Sequence, residues 1–157
     1  MESWDPVYAY AALFGVSLLA STLLPLGSEW LLLGLVLLGY SPFWTVVVAT
    51  LGNTLGACTT YAIGRWGGRE LVLRVFHMNP ASLTRSHRLY VRYGSWSLLF
   101  SWLPIVGDPL CAISGFFKHA WPAFLALVFA GKLARYIAVA WLTLRAAWNA
   151  AACVATG

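Results

Sequence analysis

Apolar residues in this chain come in runs rather than in the short alternations of a water-exposed fold. They fill Val7–Leu24, Trp30–Thr50, Ser95–Phe117 and Trp121–Trp148. A bilayer crossing takes about twenty apolar residues as a helix, which predicts spanning helices over Phe43–Gly64 and Ala123–Leu144. The pattern then breaks at Pro25-Leu26-Gly27-Ser28-Glu29, where a helix breaker, small residues and a carboxylate interrupt the apolar series. The run that follows, Trp30 to Gly39, is ten residues long before Gly39-Tyr40-Ser41-Pro42. That is about half a crossing, so the segment is expected to turn back.

The same construction recurs as Leu103-Pro104-Ile105-Val106-Gly107-Asp108-Pro109, a short apolar run from Leu110 to Phe117, and Lys118-His119-Ala120-Trp121-Pro122. A shift of 79 positions aligns Leu24-Pro25 with Leu103-Pro104, Glu29 with Asp108, Gly52 with Gly131 and Asn53 with Lys132. One residue of slip brings Pro42 to Pro122. Each half therefore reads as a re-entrant helical hairpin with an acidic residue at a non-helical tip, followed by one transmembrane helix. The predicted fold is an all-α integral membrane protein, a single membrane domain over residues 1–157. Residues 7–64 form the first repeat, 65–94 a basic loop with a surface helix, and 95–148 the second repeat. Because the loop joins the halves on one side, the hairpins should enter from opposite faces, which makes the repeat inverted. An unpaired backbone group facing lipid costs several kcal/mol. The tips, Pro25, Gly27 and Ser28 in one half and Pro104, Gly107 and Pro109 in the other, are thus expected to meet inside the protein or line a wet cavity.

Composition strengthens this reading: 61% of the chain is hydrophobic and 10% charged, against about 25% charged in soluble domains. The apolar N-terminal run is preceded by Glu2 and Asp5 and by no Lys or Arg, the reverse of a cleaved signal peptide. The net charge of +5 is localised, since six of the ten basic residues fall between Arg65 and Arg92. Loops rich in Lys and Arg stay on the cytoplasmic side, which assigns this segment to the cytoplasm; a bacterial inner (plasma) membrane location, multi-pass, is expected. Arg85, Arg88 and Arg92 at helical spacing, with Leu83, Leu89, Tyr90 and Tyr93, predict a helix on the membrane surface near anionic headgroups. With the basic residues accounted for by topology, nucleic acid is not an expected partner.

Ionisable residues in apolar surroundings are the candidate chemistry: Glu29, Asp108, Lys132 and Arg135. Lys132 and Arg135, three apart, share a helix face with Tyr136 beside them. Arg offers a planar fork and Lys a point charge, so this face suits a phosphate group. Asn53 adds a hydrogen-bonding amide on the other spanning helix, and the two carboxylates are candidates for proton exchange. A static cluster of salt bridges is the alternative. Gly52-x-x-x-Gly56 and Gly64-x-x-x-Gly68 mark close helix contacts. The nine tryptophans and His77, His87 and His119 read as interface or loop residues. Cys58, Cys111 and Cys153 are far apart and read as packing residues. No metal set or cofactor motif can be assembled, and no hydrolase, P-loop or dinucleotide signature is present, so a non-enzymatic role is expected.

The order Pro25-x-x-x-Glu29, Gly52-Asn53-x-x-Gly56, Tyr61-x-x-Gly64-Arg65-x-Gly67-Gly68, Phe100-x-x-x-Pro104, Ser114-Gly115 and Gly131-x-x-x-Arg135 resembles the DedA family of the VTT (SNARE-associated Golgi protein) domain superfamily, and within it the YqaA-like branch. The similarity runs from about Leu19 to Trp141. It implies two re-entrant hairpins in an inverted repeat and a role in moving lipids between leaflets, with bacterial relatives linked to polyprenyl phosphate carriers and eukaryotic ones to phospholipid scrambling. Glu29 then matches the first-hairpin acid and Arg135 a basic position on the last helix. The chain departs from the pattern at Ser101 and at Gly107-Asp108, where many members carry Arg, and at Asn53, where many carry Asp.

Three functions are compatible with these residues. The first is a lipid translocase for a phosphate-bearing lipid, proton-coupled through Glu29 and Asp108. The second is a small-ion or solute transporter using the same cavity, and the third a non-transporting membrane-assembly factor. Membrane lipids are the expected partners, and glycine-rich faces on so small a chain point to a homodimer.

Overall fold

The computed structural model describes residues 5–21, 27–76, 80–103 and 106–156, and all of their regular structure is helical. The elements are α1 (Pro6–Ala20), α2 (Gly27–Leu37), α3 (Pro42–Phe76), α4 (Pro80–Tyr93), a 3₁₀ stretch (Gly94–Trp102), α5 (Gly107–Phe116) and α6 (Trp121–Thr156). Two are long and apolar enough to cross a membrane, over Pro42–Gly67 (26 residues) and Trp121–Asn149 (29 residues). At about 1.5 Å per residue each spans roughly 40 Å, more than the ~30 Å hydrocarbon layer. α2 and α5 have 11 and 10 residues, about 15 Å each, which is half a crossing.

The tips differ from expectation. Gly27, Ser28 and Glu29 lie in the first turn of α2, and Gly107, Asp108 and Pro109 in the first turn of α5. Pro109 is tolerated there because the first turn has no intrahelical use for its missing N–H. A carboxylate at the same place is favoured by the positive end of the helix dipole. Pro25 and Pro104, the other tip residues, lie outside the described residues. The basic tract is also more ordered than a loop. α3 continues past Gly64 through Arg65 and Arg74 to Phe76, and the next proline, Pro80, begins α4.

α2 and α5 end in the same way. The Tyr40 N–H donates to the Leu35 carbonyl (3.0 Å) and the His119 N–H to the Ser114 carbonyl (2.9 Å). The residue before each donor is left-handed, Gly39 at φ +88° and Lys118 at φ +52°. Both are helix-terminating motifs that normally favour glycine, and Lys118 occupies one of them at a cost of about 1 kcal/mol.

Packing crosses between the halves of the chain. α1 lies along α3, and α2 packs on α6, whereas α5 packs on α3 and the 3₁₀ stretch on α6. The α3–α5 crossing depends on glycine: a Cβ at Gly64 would fall 2.1 Å from the Ala112 carbonyl oxygen, and one at Gly115 2.1 Å from that of Tyr61. The α1–α3 contact uses Gly52 and Gly56 in the same way, against Phe14 and Leu18. One apolar core gathers Leu13, Leu32, Ala49 and Tyr136, and a second gathers Tyr61, Leu98, Leu110 and Phe124. Outward, α3 and α6 expose Leu51, Leu55, Phe129, Ile137, Trp141 and Leu142, a surface matched to hydrocarbon.

The turn after α2 lies beside α1, with Tyr40 edge-on to Tyr10, and the turn after α5 lies beside α4, with Phe117 stacked on Tyr90 at 5.3 Å. Arg85 and Arg88 are exposed on α4, as the spacing predicts. Its apolar side, however, meets protein: Leu83 is buried with Ala112 and Ile113, and Tyr90 packs on the same cluster. The surface available to headgroups is therefore the arginine side.

Candidate functional site

Lys132 sits in the middle of α6, only 3% exposed. Its Nζ donates to Asn53 Oδ1 (2.8 Å) and Ser21 Oγ (3.1 Å) and lies 3.8 Å from Asp108 Oδ1. Two hydrogen bonds and a nearby counter-charge thereby compensate the ammonium, the condition for keeping a cation in apolar surroundings. Ser21 Oγ in turn donates to Asp108 Oδ1 (3.1 Å).

The orientation of Asn53 follows from this. Lys132 has no acceptor, so the amide oxygen faces it and the amide nitrogen is left to donate to Tyr136 Oη (2.9 Å). Tyr136 Oη also shares a hydrogen bond with Ser28 Oγ (2.8 Å). One continuous network thus joins α1, α2, α3, α5 and α6.

Arg135, one helical turn beyond Lys132, forms an ion pair with Glu29 and donates to the Trp102 carbonyl (2.7 Å). That carbonyl ends the 3₁₀ stretch, where no further helical N–H is available to it. Lys132 is the deep cation, 3% exposed, and Arg135, at 17%, the one nearer the surface, bonded to the backbone of Trp102.

Glu29, Asp108, Asn53, Lys132 and Arg135 all line one cavity of about 20 Å³, room for a single water-sized molecule. With Ser28, which lines it too, the structure brings six of the sequence-predicted residues together. It differs on their freedom, because both cations are engaged by carboxylates: Arg135 by Glu29, Lys132 by Asp108. Tyr136 supports the network from a fully buried position, and Ser28 is held by it. Gly107 and Pro109 serve packing: a Cβ on Gly107 would meet the Ser101 carbonyl at 2.1 Å, and Pro109 is buried in α5.

Three contributors do not stand out as site residues in the sequence: Ser21, Ser101 and the Trp102 carbonyl. The serines carry a signal, since each is a small polar residue in an apolar run just before a tip proline, Ser21 before Pro25 and Ser101 before Pro104. The carbonyl carries none, because any residue could supply it.

Spanning helices that turn an exposed apolar surface outward and enclose a hydrogen-bonded set of opposite charges define a multi-pass membrane protein with a polar site in its interior. The chain belongs to the VTT-domain (DedA) family, whose domain matches residues 24–144, and is YqaA-like within it. It is 37% identical over 135 residues to the inner membrane protein YqaA of Escherichia coli (strain K12), covering 85% of this chain and 90% of that one. It is 34% identical over 139 residues to an uncharacterized protein of Haemophilus influenzae, covering 83% and 85%. An uncharacterized protein of Methanocaldococcus jannaschii, MJ0201, is 24% identical over 132 residues, covering 82% and 80%. No solved structure matches the chain. The protein is a helical inner-membrane protein.

Proposed function

We propose that the protein moves a phosphate-bearing lipid between leaflets, with Lys132 and Arg135 as the phosphate-holding cations and Glu29 and Asp108 as the proton-carrying groups that release them. The observation that carries this reading is the convergence of two carboxylates and two cations on one small, partly open cavity. A phosphate competes with a carboxylate for the same guanidinium or ammonium. Protonating Glu29 or Asp108 removes that competitor, so proton uptake by the carboxylate and phosphate capture by its cation go together.

The framework for such exchange is an inverted repeat of two re-entrant hairpins. Asn53 and Lys132, 79 residues apart, are in direct contact. A residue touches its own repeat mate only beside the axis relating the halves. The left-handed positions Gly39 and Lys118 fall on the same shift, and each short arm, α2 or α5, rests on the other half's long helix. The arginine-rich end of α3 and α4 faces the cytoplasm in this scheme. In the closed state the cavity admits one water-sized molecule, so headgroup entry requires the halves to part, and Arg135 beside Trp102 marks the side facing the bilayer.

Liposome reconstitution with leaflet-specific assays for labelled lipids tests the proposal. Wild-type protein should redistribute a phosphate monoester lipid, and Arg135→Ala should abolish the redistribution. Flux of a small ion or solute without lipid movement would instead establish the transporter alternative. Full tolerance of substitution at all four charges would leave the assembly-factor alternative.

A further inference from the structure

Among the described residues two hydroxyls line the cavity, Ser28 and Ser101, and only Ser28 has an internal partner; Ser17 Oγ and Thr54 Oγ1 are also buried without one, but outside the cavity lining. Ser21 donates to Asp108, while Ser28 and Tyr136 bond each other. Ser101 lines the same cavity as Lys132 and Arg135, is 3% exposed, and its Oγ has no hydrogen-bond partner. A buried hydroxyl without a partner is disfavoured and calls for an explanation. We infer that Ser101 is a specificity-determining residue whose hydroxyl donates to a phosphate oxygen of the cargo; this rests on the phosphate-lipid reading of the cavity.

The hydroxyl's position is held from both sides. The Ser101 carbonyl lies against Gly107, where no Cβ could fit, and its Oγ faces Gly131, where a Cβ would stand 3.4 Å away. The serine is therefore fixed between the start of α5 and the middle of α6, the element that carries both cations.

The chemistry selects the ligand class. A phosphate monoester presents three terminal oxygens, one each for the Lys132 ammonium, the Arg135 guanidinium and the Ser101 hydroxyl. A carboxylate presents two, and the cations already take carboxylates in the closed state. The third donor is what distinguishes phosphate from the groups it displaces. Glu29 and Asp108 line the same cavity, so phosphate enters as they lose their negative charge or swing away.

The test is calorimetric binding to the full chain in phosphatidylcholine nanodiscs, using dihexanoyl phosphatidic acid, inorganic phosphate and octanoate as probes. Ser101→Ala should weaken phosphatidic acid binding about tenfold, the scale of one hydrogen bond to a charged group. Octanoate binding should be unchanged and the unfolding midpoint not lowered, because no internal bond is lost. Ser97→Ala is the contrast. Its Oγ donates to the Gly94 carbonyl at 2.7 Å, so it should lower the midpoint without touching selectivity. Equal phosphatidic acid affinity in wild type and Ser101→Ala would overturn the inference and leave the phosphate reading standing. A lowered midpoint with matching losses for octanoate would make Ser101 structural and also overturn it. Failure of wild type to bind phosphatidic acid or inorganic phosphate would remove both the reading and the inference. With the Ser101 effect present, tight binding of phosphatidic acid but not of inorganic phosphate identifies a lipid headgroup, and comparable binding of both identifies free phosphate.

Discussion

Removing the Arg135 guanidinium leaves the Glu29 carboxylate at membrane depth without its counter-charge and the Trp102 carbonyl without a donor. The pair is partly shielded, 17% and 16% exposed, so leaving one member without its partner costs about 1–3 kcal/mol, whereas surface substitutions stay within about 0.5 kcal/mol. Arg135→Ala should therefore lower stability and lipid transport sharply, and exposed Arg88→Ala should change neither, as read by unfolding in detergent and by liposome assay. Glu29→Gln and Asp108→Asn keep side-chain shape and remove proton exchange. Each should reduce transport and flatten its dependence on pH. Full pH-dependent transport by the double variant would leave the four charges as structural braces.

Helix contacts set the next scale, and glycine governs the one between α3 and α5. A methyl group at Gly115 would collide with the Tyr61 carbonyl, and backbone cannot yield as a flexible side chain does. Gly115→Ala should destabilise the protein by about 3 kcal/mol. A methyl group at Gly34 on α2 would meet nothing within 4 Å, so Gly34→Ala should be neutral or stabilise by up to about 1 kcal/mol through helix propensity. Thermal unfolding of the pair in one detergent separates contact from propensity, because both substitutions add the same methyl group to a helix.

Across the whole molecule the arrangement of hairpins has a topological consequence. The turn after α2 lies against α1, and the turn after α5 against the arginine-bearing α4. In the inverted scheme those turns face opposite sides of the bilayer. Leu38→Cys and Phe117→Cys, each in a Cys153→Ala background, should react with a membrane-impermeant maleimide from opposite sides, with Phe117→Cys on the cytoplasmic side. Labelling of both from one side would reject the inverted repeat.

Which solvent the chain chooses is legible in the sequence because hydrophobicity is a local property summed along each run. The same holds for the spans around Phe43–Gly64 and Ala123–Leu144, the breaks before Glu29 and Asp108, and the candidates Lys132, Arg135 and Asn53. The helical extension from Arg65 to Phe76 reads as loop because polarity and Gly67-Gly68 suggest a break, yet glycine costs a helix only about 1 kcal/mol per residue and no proline intervenes before Pro80. Only the tertiary structure decided that Arg135 takes Glu29 and Lys132 takes Asn53, Ser21 and Asp108, and that of the two hydroxyls lining the cavity Ser28 is paired and Ser101 is not. Ion pairs and hydrogen bonds act over a few ångströms between residues as many as 111 positions apart. Such pairings depend on where the helices cross, and close backbone contacts, at Gly64 and Gly115 between α3 and α5 and at Gly52 and Gly56 between α1 and α3, help to set those crossings.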